Sequence, residues 1–113
     1  MKINREEKDG ILILRLEGKL MGGPDAEAIH SAIREGVEAG KKNVLVDLGK
    51  VSWVNSTGLG ILIANFTTLK REGGMLKLLN VSKRIESILM VTKLNTIFES
   101  FNEEADAITS FGE

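Results

Sequence analysis

The chain has no cysteine and no tyrosine, and only one histidine, one tryptophan and one proline. The lack of cysteine excludes disulfides, thiolate metal sites and thiol chemistry together. A single histidine without cysteine leaves too few ligands for a dedicated transition-metal site. Four phenylalanines and Trp53 are too few aromatics to build stacking platforms for single-stranded nucleic acid. An excess of positive charge is also missing: 15 basic residues face 16 acidic ones, and they are interspersed. Nucleic acid is therefore not expected as a partner. No apolar run approaches the ~18 residues of a membrane-spanning helix. The longest, Leu59 to Phe66, is broken by Gly60 and Asn65. The opening stretch from Met1 to Asp9 is too polar for a secretion signal. Together these absences predict a soluble, cytoplasmic protein with no membrane contact. Asn55, Asn65 and Asn80 each begin an Asn-X-Ser/Thr pattern, but without a secretion signal that pattern carries no meaning.

What is present is a regular alternation of strand and helix signals over 113 residues, a length that suits one domain spanning 1–113. Lys2 to Lys8 reads as a polar edge strand. Asp9-Gly10 is a hairpin turn, and Ile11 to Leu16 a more buried strand. Gly18 to Gly23 is expected as a loop, with Pro24 opening a helix to about Glu38. Ile29, Ile33 and Val37 form its stripe and Gly40 its stop. Lys41-Lys42 and Lys70-Arg71 read as helix C-terminal signals. Val44 to Leu48 is a continuous apolar run, as expected of a strand covered on both faces. A second helix is predicted from near Ser56 to Glu72, with Leu59, Leu62, Ile63, Phe66 and Leu69 inward. Met75 to Leu79 reads as a strand and Ser82 as the cap of a helix ending near Thr92. A short strand is expected within Leu94 to Ser100, then a helix capped by Asn102 and running through Phe111. This order predicts an α/β fold: a mostly parallel sheet of four to five strands, an N-terminal hairpin strand and about four helices. Ile13, Val44, Val46, Leu62, Phe66 and Leu78 are expected in the core.

One segment breaks the local rules. Asn55-Ser56-Thr57-Gly58-Leu59-Gly60 places two glycines in the first turns of a helix, where each costs about 1 kcal/mol relative to alanine. Such conflicts concentrate at functional sites. Three readings of it stand side by side. Ser56 could cap the helix, with the glycines serving packing. The helix start could hold a phosphate, although neither G-x-x-x-x-G-K-[ST] nor G-x-G-x-x-G is present. Or Ser56 could accept a phosphoryl group, which the positive end of the helix dipole would stabilise while the glycines admit a kinase. His30 lies mid-helix and reads as a solvated or boundary residue, with nothing to place it beside Ser56. Trp53 reads as a core residue ahead of an interface anchor. Met21 is either an exposed contact or tucked over the sheet.

Val54-Asn55-Ser56-Thr57-Gly58-Leu59-Gly60-Ile61-Leu62 resembles the signature of STAS-domain anti-sigma-factor antagonists, which typically read Asp-Ser-[Ser/Thr]-Gly-Leu-Gly. The resemblance extends over Gly18-Lys19-Leu20, Asn43 to Leu48, Gly73 to Leu78 and Leu94 to Phe98. It implies a STAS fold and a non-enzymatic, partner-switching regulator of transcription in bacterial signalling. The expected partner is an anti-sigma factor that is also a serine kinase of the histidine-kinase-like ATPase type. Capturing it releases a sigma factor. Phosphorylation at Ser56 ends the capture, and a metal-dependent serine phosphatase restores it. The resemblance carries Ser56 over as the phosphorylation site. It makes Lys19, Leu20, Met21, Gly22, Gly23, Asn55, Ser56, Thr57, Gly58, Leu59 and Gly60 the partner-binding set. No catalytic residue, metal or cofactor is implied, since ATP and Mg²⁺ belong to the kinase.

The departures are local. Asn55 stands where the family usually has Asp, and Gly18-Lys19-Leu20-Met21 where it commonly has Gly-Glu-Leu-Asp or similar. Three acidic positions are thus neutral or basic here, which favours as an alternative a STAS scaffold or interaction module that is not phosphorylated. A transporter-associated STAS domain and a nucleotide-binding or hydrolytic domain fit less well, for want of a membrane span, a phosphate loop and a base for Ser56.

Overall fold

The computed structural model describes residues 1–112. Five strands and four α-helices follow one another: β1 (Lys2–Lys8), β2 (Ile11–Leu20), α1 (Pro24–Glu38), β3 (Asn43–Val54), α2 (Ser56–Arg71), β4 (Met75–Leu79), α3 (Lys83–Val91), β5 (Ser100–Phe101) and α4 (Glu104–Phe111). The sheet order is β1-β2-β3-β4-β5, with the first pair antiparallel and the other three parallel. Asp9 and Gly10 both take positive φ at the β1–β2 turn, as a tight hairpin requires.

The period-2 alternation of the inner strands divides the core between two faces. Leu12, Leu14 and Leu16 of β2, Val44, Val46 and Leu48 of β3, and Leu76 and Leu78 of β4 point to the face covered by α1, α2 and α3. Ile11, Ile13, Leu45 and Leu79 point the other way and meet Ala107 of α4. Because α4 is only 8 residues long, it covers part of that second face. The remainder carries charge instead of apolar side chains. The polar β1 forms one edge of the sheet, where unpaired strand groups can stay hydrated.

The expected fold class and order of elements along the chain are found, and the bounds of α1 and β4 agree to the residue. Other expectations need correction. β2 and β3 run on to Leu20 and Val54, so the predicted loop at Gly18 begins only after Leu20. Register shifts in β2 near Leu16 and Gly18 allow the two strands to keep pairing through this irregular stretch. The expected strand in Leu94 to Ser100 is a 3₁₀ turn over Leu94–Thr96, and the strand itself is Ser100–Phe101. The last helix starts one residue later than an Asn102 cap would place it, with Glu103 at the N-cap and no side-chain cap bond. Lys41 and Lys42 lie beyond the last turn of α1, and Lys41 pairs with Glu7 at 3.9 Å. Phe66 is only half-buried, edge-on to Phe98, while Ile13, Val44, Val46, Leu62 and Leu78 are in the core.

Helix α2 meets both the sheet and α1, and the inward stripe is rotated accordingly. Gly58, Leu59, Ile61, Leu62, Asn65 and Leu69 are buried, whereas Ile63 and Phe66 lie at its margin. The buried Asn65 has its polar atoms satisfied. Its amide donates to the Ile61 carbonyl at 2.8 Å, and its Oδ1 lies 3.1 Å from His30 Nδ1. An amide oxygen only accepts, so His30 Nδ1 carries the proton in this contact.

Candidate functional site

The rule-breaking segment sits where β3 hands over to α2, beside the end of β2. Asn55, not Ser56, caps α2. In its extended conformation the Asn55 Oδ1 accepts from the Gly58 N–H at 2.8 Å, and its own carbonyl accepts from the Leu59 N–H at 2.9 Å. That satisfies one of the donors a helix start leaves free. Ser56 is therefore the first helical residue and, like Thr57, is exposed. The capping reading of Ser56 is corrected: its neighbour does that work.

The two glycines have opposite circumstances. A Cβ on Gly58 would lie 2.1 Å from the Leu20 carbonyl oxygen, so only glycine lets the start of α2 approach the end of β2 this closely. A Cβ on Gly60 would meet nothing within 4 Å. Its exposed position leaves a shallow place on the helix with no packing reason inside the chain. Gly22 packs against Thr57: a Cβ there would come within 2.6 Å of the Thr57 Cγ2, and its φ of 107° suits glycine.

The predicted set is brought together by this packing, though not all of it reaches the surface. Leu20, Gly58 and Leu59 are buried beneath the rim and shape it from below. Lys19, Met21, Gly23, Ser56, Thr57 and Gly60 are exposed, with Gly22 and Asn55 half-buried between them. Met21 is exposed, which excludes the tucked alternative. Trp53 is 39% exposed, against the core expectation. Val51 and Val54 take the inward positions at this end of β3, leaving Trp53 outside. There the Arg84 guanidinium, from the first turn of α3, lies 5.5 Å from the ring centroid, within cation–π range. Arg84 is a neighbour of this surface that pattern reading did not single out. Only the exposed Trp could have pointed to it.

His30 is tied to Asn65, nine positions along α2 from Ser56. At a rise of about 1.5 Å per residue that is about 13 Å down the helix, too far for a base acting on the Ser56 hydroxyl. Among the described residues, no group of three or more His, Cys, Asp or Glu is placed to hold a metal ion. Within the same residues, no helix is long and apolar enough to cross a membrane.

A large cleft lies elsewhere, on the charged part of the second sheet face. It has a volume of about 570 Å³ and is lined by Arg15, Asp47, Lys50, Asn80, Ser82 and neighbours. Much of its chemistry is already engaged. Arg15 donates to Asp47 at 2.9 Å, to Glu104 at 2.7 Å and to Glu6. Asp47 also accepts from Asn80 at 3.2 Å and from the Gly49 N–H at 2.9 Å, and Asn4 donates to Glu17 at 3.3 Å. The Arg15 hydrogen bond holds the Glu6 carboxyl below its ordinary range, and the carboxylates raise the Arg15 guanidinium further. This is a stabilising ion network, while the rim at Ser56 leaves hydroxyls and apolar groups open.

The STAS domain family matches residues 2–107. The chain belongs to the STAS-domain family. It is 25% identical to BtrV of Bordetella bronchiseptica, named provisionally as an anti-sigma factor antagonist, over 98% of this chain and 95% of that protein. A Thermotoga maritima protein described in the same provisional terms shares the fold with a TM-score of 0.88 and 18% identity, over 98% of this chain and 95% of the other. The Bacillus cell fate determinant SpoIIAA, solved in its phosphorylated form, superposes with a TM-score of 0.74 at 21% identity, over 96% and 98% of the two chains.

Proposed function

We propose that this STAS protein is an anti-sigma factor antagonist. It binds an anti-sigma factor through the rim formed by Lys19 to Gly23 and the start of α2, and so releases a sigma factor. The partner is a serine kinase, and phosphorylation of Ser56 ends the complex. A metal-dependent phosphatase restores the binding form. The chain contributes no catalytic group of its own.

The observation that carries this reading is the division of labour at positions 55 and 56. Asn55 takes the capping role, which leaves the Ser56 hydroxyl exposed on the first turn of α2. No acidic residue stands in that turn, so a phosphate there meets the positive end of the helix dipole without a carboxylate neighbour on the turn. Phosphorylation adds about −1.5 to −2 charge in the middle of a surface made of hydroxyl, amide, glycine and methionine groups with one lysine, Lys19, at its margin. A partner fitted to a surface without negative charge must then desolvate a dianion, which weakens the complex. The open Gly60 beside it admits a kinase backbone closely. BtrV supports the role by its name and SpoIIAA by its phosphorylated form, as relatives in sequence and fold.

A second reading keeps the binding rim and drops the switch, making the protein a scaffold in a signalling assembly. Lys19 and Asn55 favour it, since they give the rim a basic and a neutral group where typical antagonists carry acids. Phosphosite mapping by mass spectrometry on protein isolated from its own cell separates the two. Phosphate on Ser56 is the expected result. A chain that stays unmodified at Ser56 through growth and stress would leave the scaffold.

A further inference from the structure

We propose that Asn55 is a positioning residue: its side-chain amide clasps the β2–α1 loop to the start of α2, fixing the Met21 backbone against that helix start before any partner arrives. The inference rests on the reading of this rim as a partner surface, and adds what makes the rim rigid.

The two ends of the Asn55 amide do different work. Oδ1 accepts from the Gly58 N–H at 2.8 Å, which sets the orientation of the group. Nδ2 is thereby turned toward the loop, where it donates to the Met21 carbonyl at 3.3 Å. The Asn55 backbone N–H donates to the Leu20 carbonyl at 3.3 Å, so one residue holds two successive carbonyls of the incoming chain. Gly22 completes the closure by packing on Thr57. The loop needs such a tie: Gly22 and Gly23 both take positive φ and bring no side chain of their own to anchor it.

Only asparagine fits both halves of this arrangement at its length. Aspartate keeps the acceptor for Gly58 and caps a helix equally well. It has no hydrogen to offer, however, and would turn a carboxylate oxygen toward the Met21 carbonyl. Position 55 thus sets more than the charge of the rim. Asparagine holds the loop ordered and so lowers the conformational entropy lost when a partner docks on it.

The clasp itself is tested on the free chain, and partner capture by the same variants separates it from the rim's role. Backbone ¹⁵N relaxation is compared for wild type, Asn55→Asp and Asn55→Ala, with amide hydrogen exchange at Gly58. In wild type, Met21, Gly22 and Gly23 should show order parameters near the rigid value of about 0.85, and in both variants these should fall below about 0.6. Gly58 exchange should stay slow in Asn55→Asp, which retains the cap, and accelerate only in Asn55→Ala. The change should be confined to the loop, with the amides of α1 and of α2 beyond its first turn unmoved in Asn55→Asp. Loop order parameters that stay near wild type in both variants would overturn the clasp. A loosened loop whose variant still captures the same partner equally well would confirm the clasp and count against the rim as the binding surface.

Discussion

The rim at Ser56 and the cleft at Arg15 are both polar, yet they spend their polar groups in opposite ways. In the cleft, Arg15 is shared among Glu6, Asp47 and Glu104, and Asp47 is further bound by Asn80 and Gly49. Those groups stabilise the chain and have little left to offer a ligand. At the rim, the internal bonding is concentrated on Asn55, and around it stand exposed hydroxyls, an exposed methionine and a glycine that touches nothing. On the proposed reading, the binding surface lies where chemistry is left unused at a closely packed helix start, and not in the larger cavity.

The largest effect that sharpens this contrast is at Gly58. A methyl group 2.1 Å from the Leu20 carbonyl oxygen must push the start of α2 away from β2. Gly58→Ala should destabilise the protein by about 3 kcal/mol, the upper part of the range for overpacking, because backbone yields less than a side chain. Gly60→Ala, two positions along, should do the reverse. With open space around it the gain in helix propensity is unopposed, and stability should rise by about 1 kcal/mol. Urea unfolding of both variants checks the pair. If the two alanines act alike, the distinction between a packing glycine and a free one fails.

The glycine pair also shows how far local sequence rules reach. The motif drew attention because two glycines conflict with helix formation, but local rules cannot say which of them touches the neighbouring strand. That depends on β2 running on to Leu20, which was hidden by the Gly18-Lys19 irregularity and the register shifts there. Helix α1 was legible because Pro24 and Gly40 mark its ends, and β4 because the Gly73-Gly74 pair precedes an uninterrupted strand signal. The three asparagines of the Asn-X-Ser/Thr patterns were less legible. Asn55 caps α2, Asn65 is buried and bonded to His30, and Asn80 takes a positive φ after β4 while donating to Asp47. The roles of Asn65 and Asn80 are set by partners more than 30 residues away in sequence, which leave no periodic trace, while Asn55 caps through Gly58 three residues on. Trp53 was misplaced for a related reason. Its side of β3 depends on the inward spacing of Val51 and Val54.

The smallest effect belongs to the cleft and concerns pH. Glu6 has its carboxyl held below the ordinary value of about 4.5 by the Arg15 hydrogen bond. Between its folded and unfolded values the unfolded state binds more protons. The contribution is therefore complete above the unfolded value and is lost as pH falls through the folded one. Glu6→Gln should flatten the fall in thermal stability below about pH 4.5 and change little at neutral pH, since the carboxylate is exposed and solvent screens it. An unchanged acid slope would mean that the network around Arg15 is not coupled to Glu6 in solution.

The central claim is that the open hydroxyl of Ser56 is the switch of a partner-binding rim, and partner capture with three baits tests it most directly. Wild type, Ser56→Ala and Ser56→Asp are each used to draw proteins from the native cell, and the bound species are identified by mass spectrometry. Wild type and Ser56→Ala should retain the same anti-sigma kinase, because the serine is exposed and its loss leaves the Asn55 cap intact. Ser56→Asp should lose it, since a charge now stands where the partner expects none. Equal retention of one partner by all three baits would contradict the account.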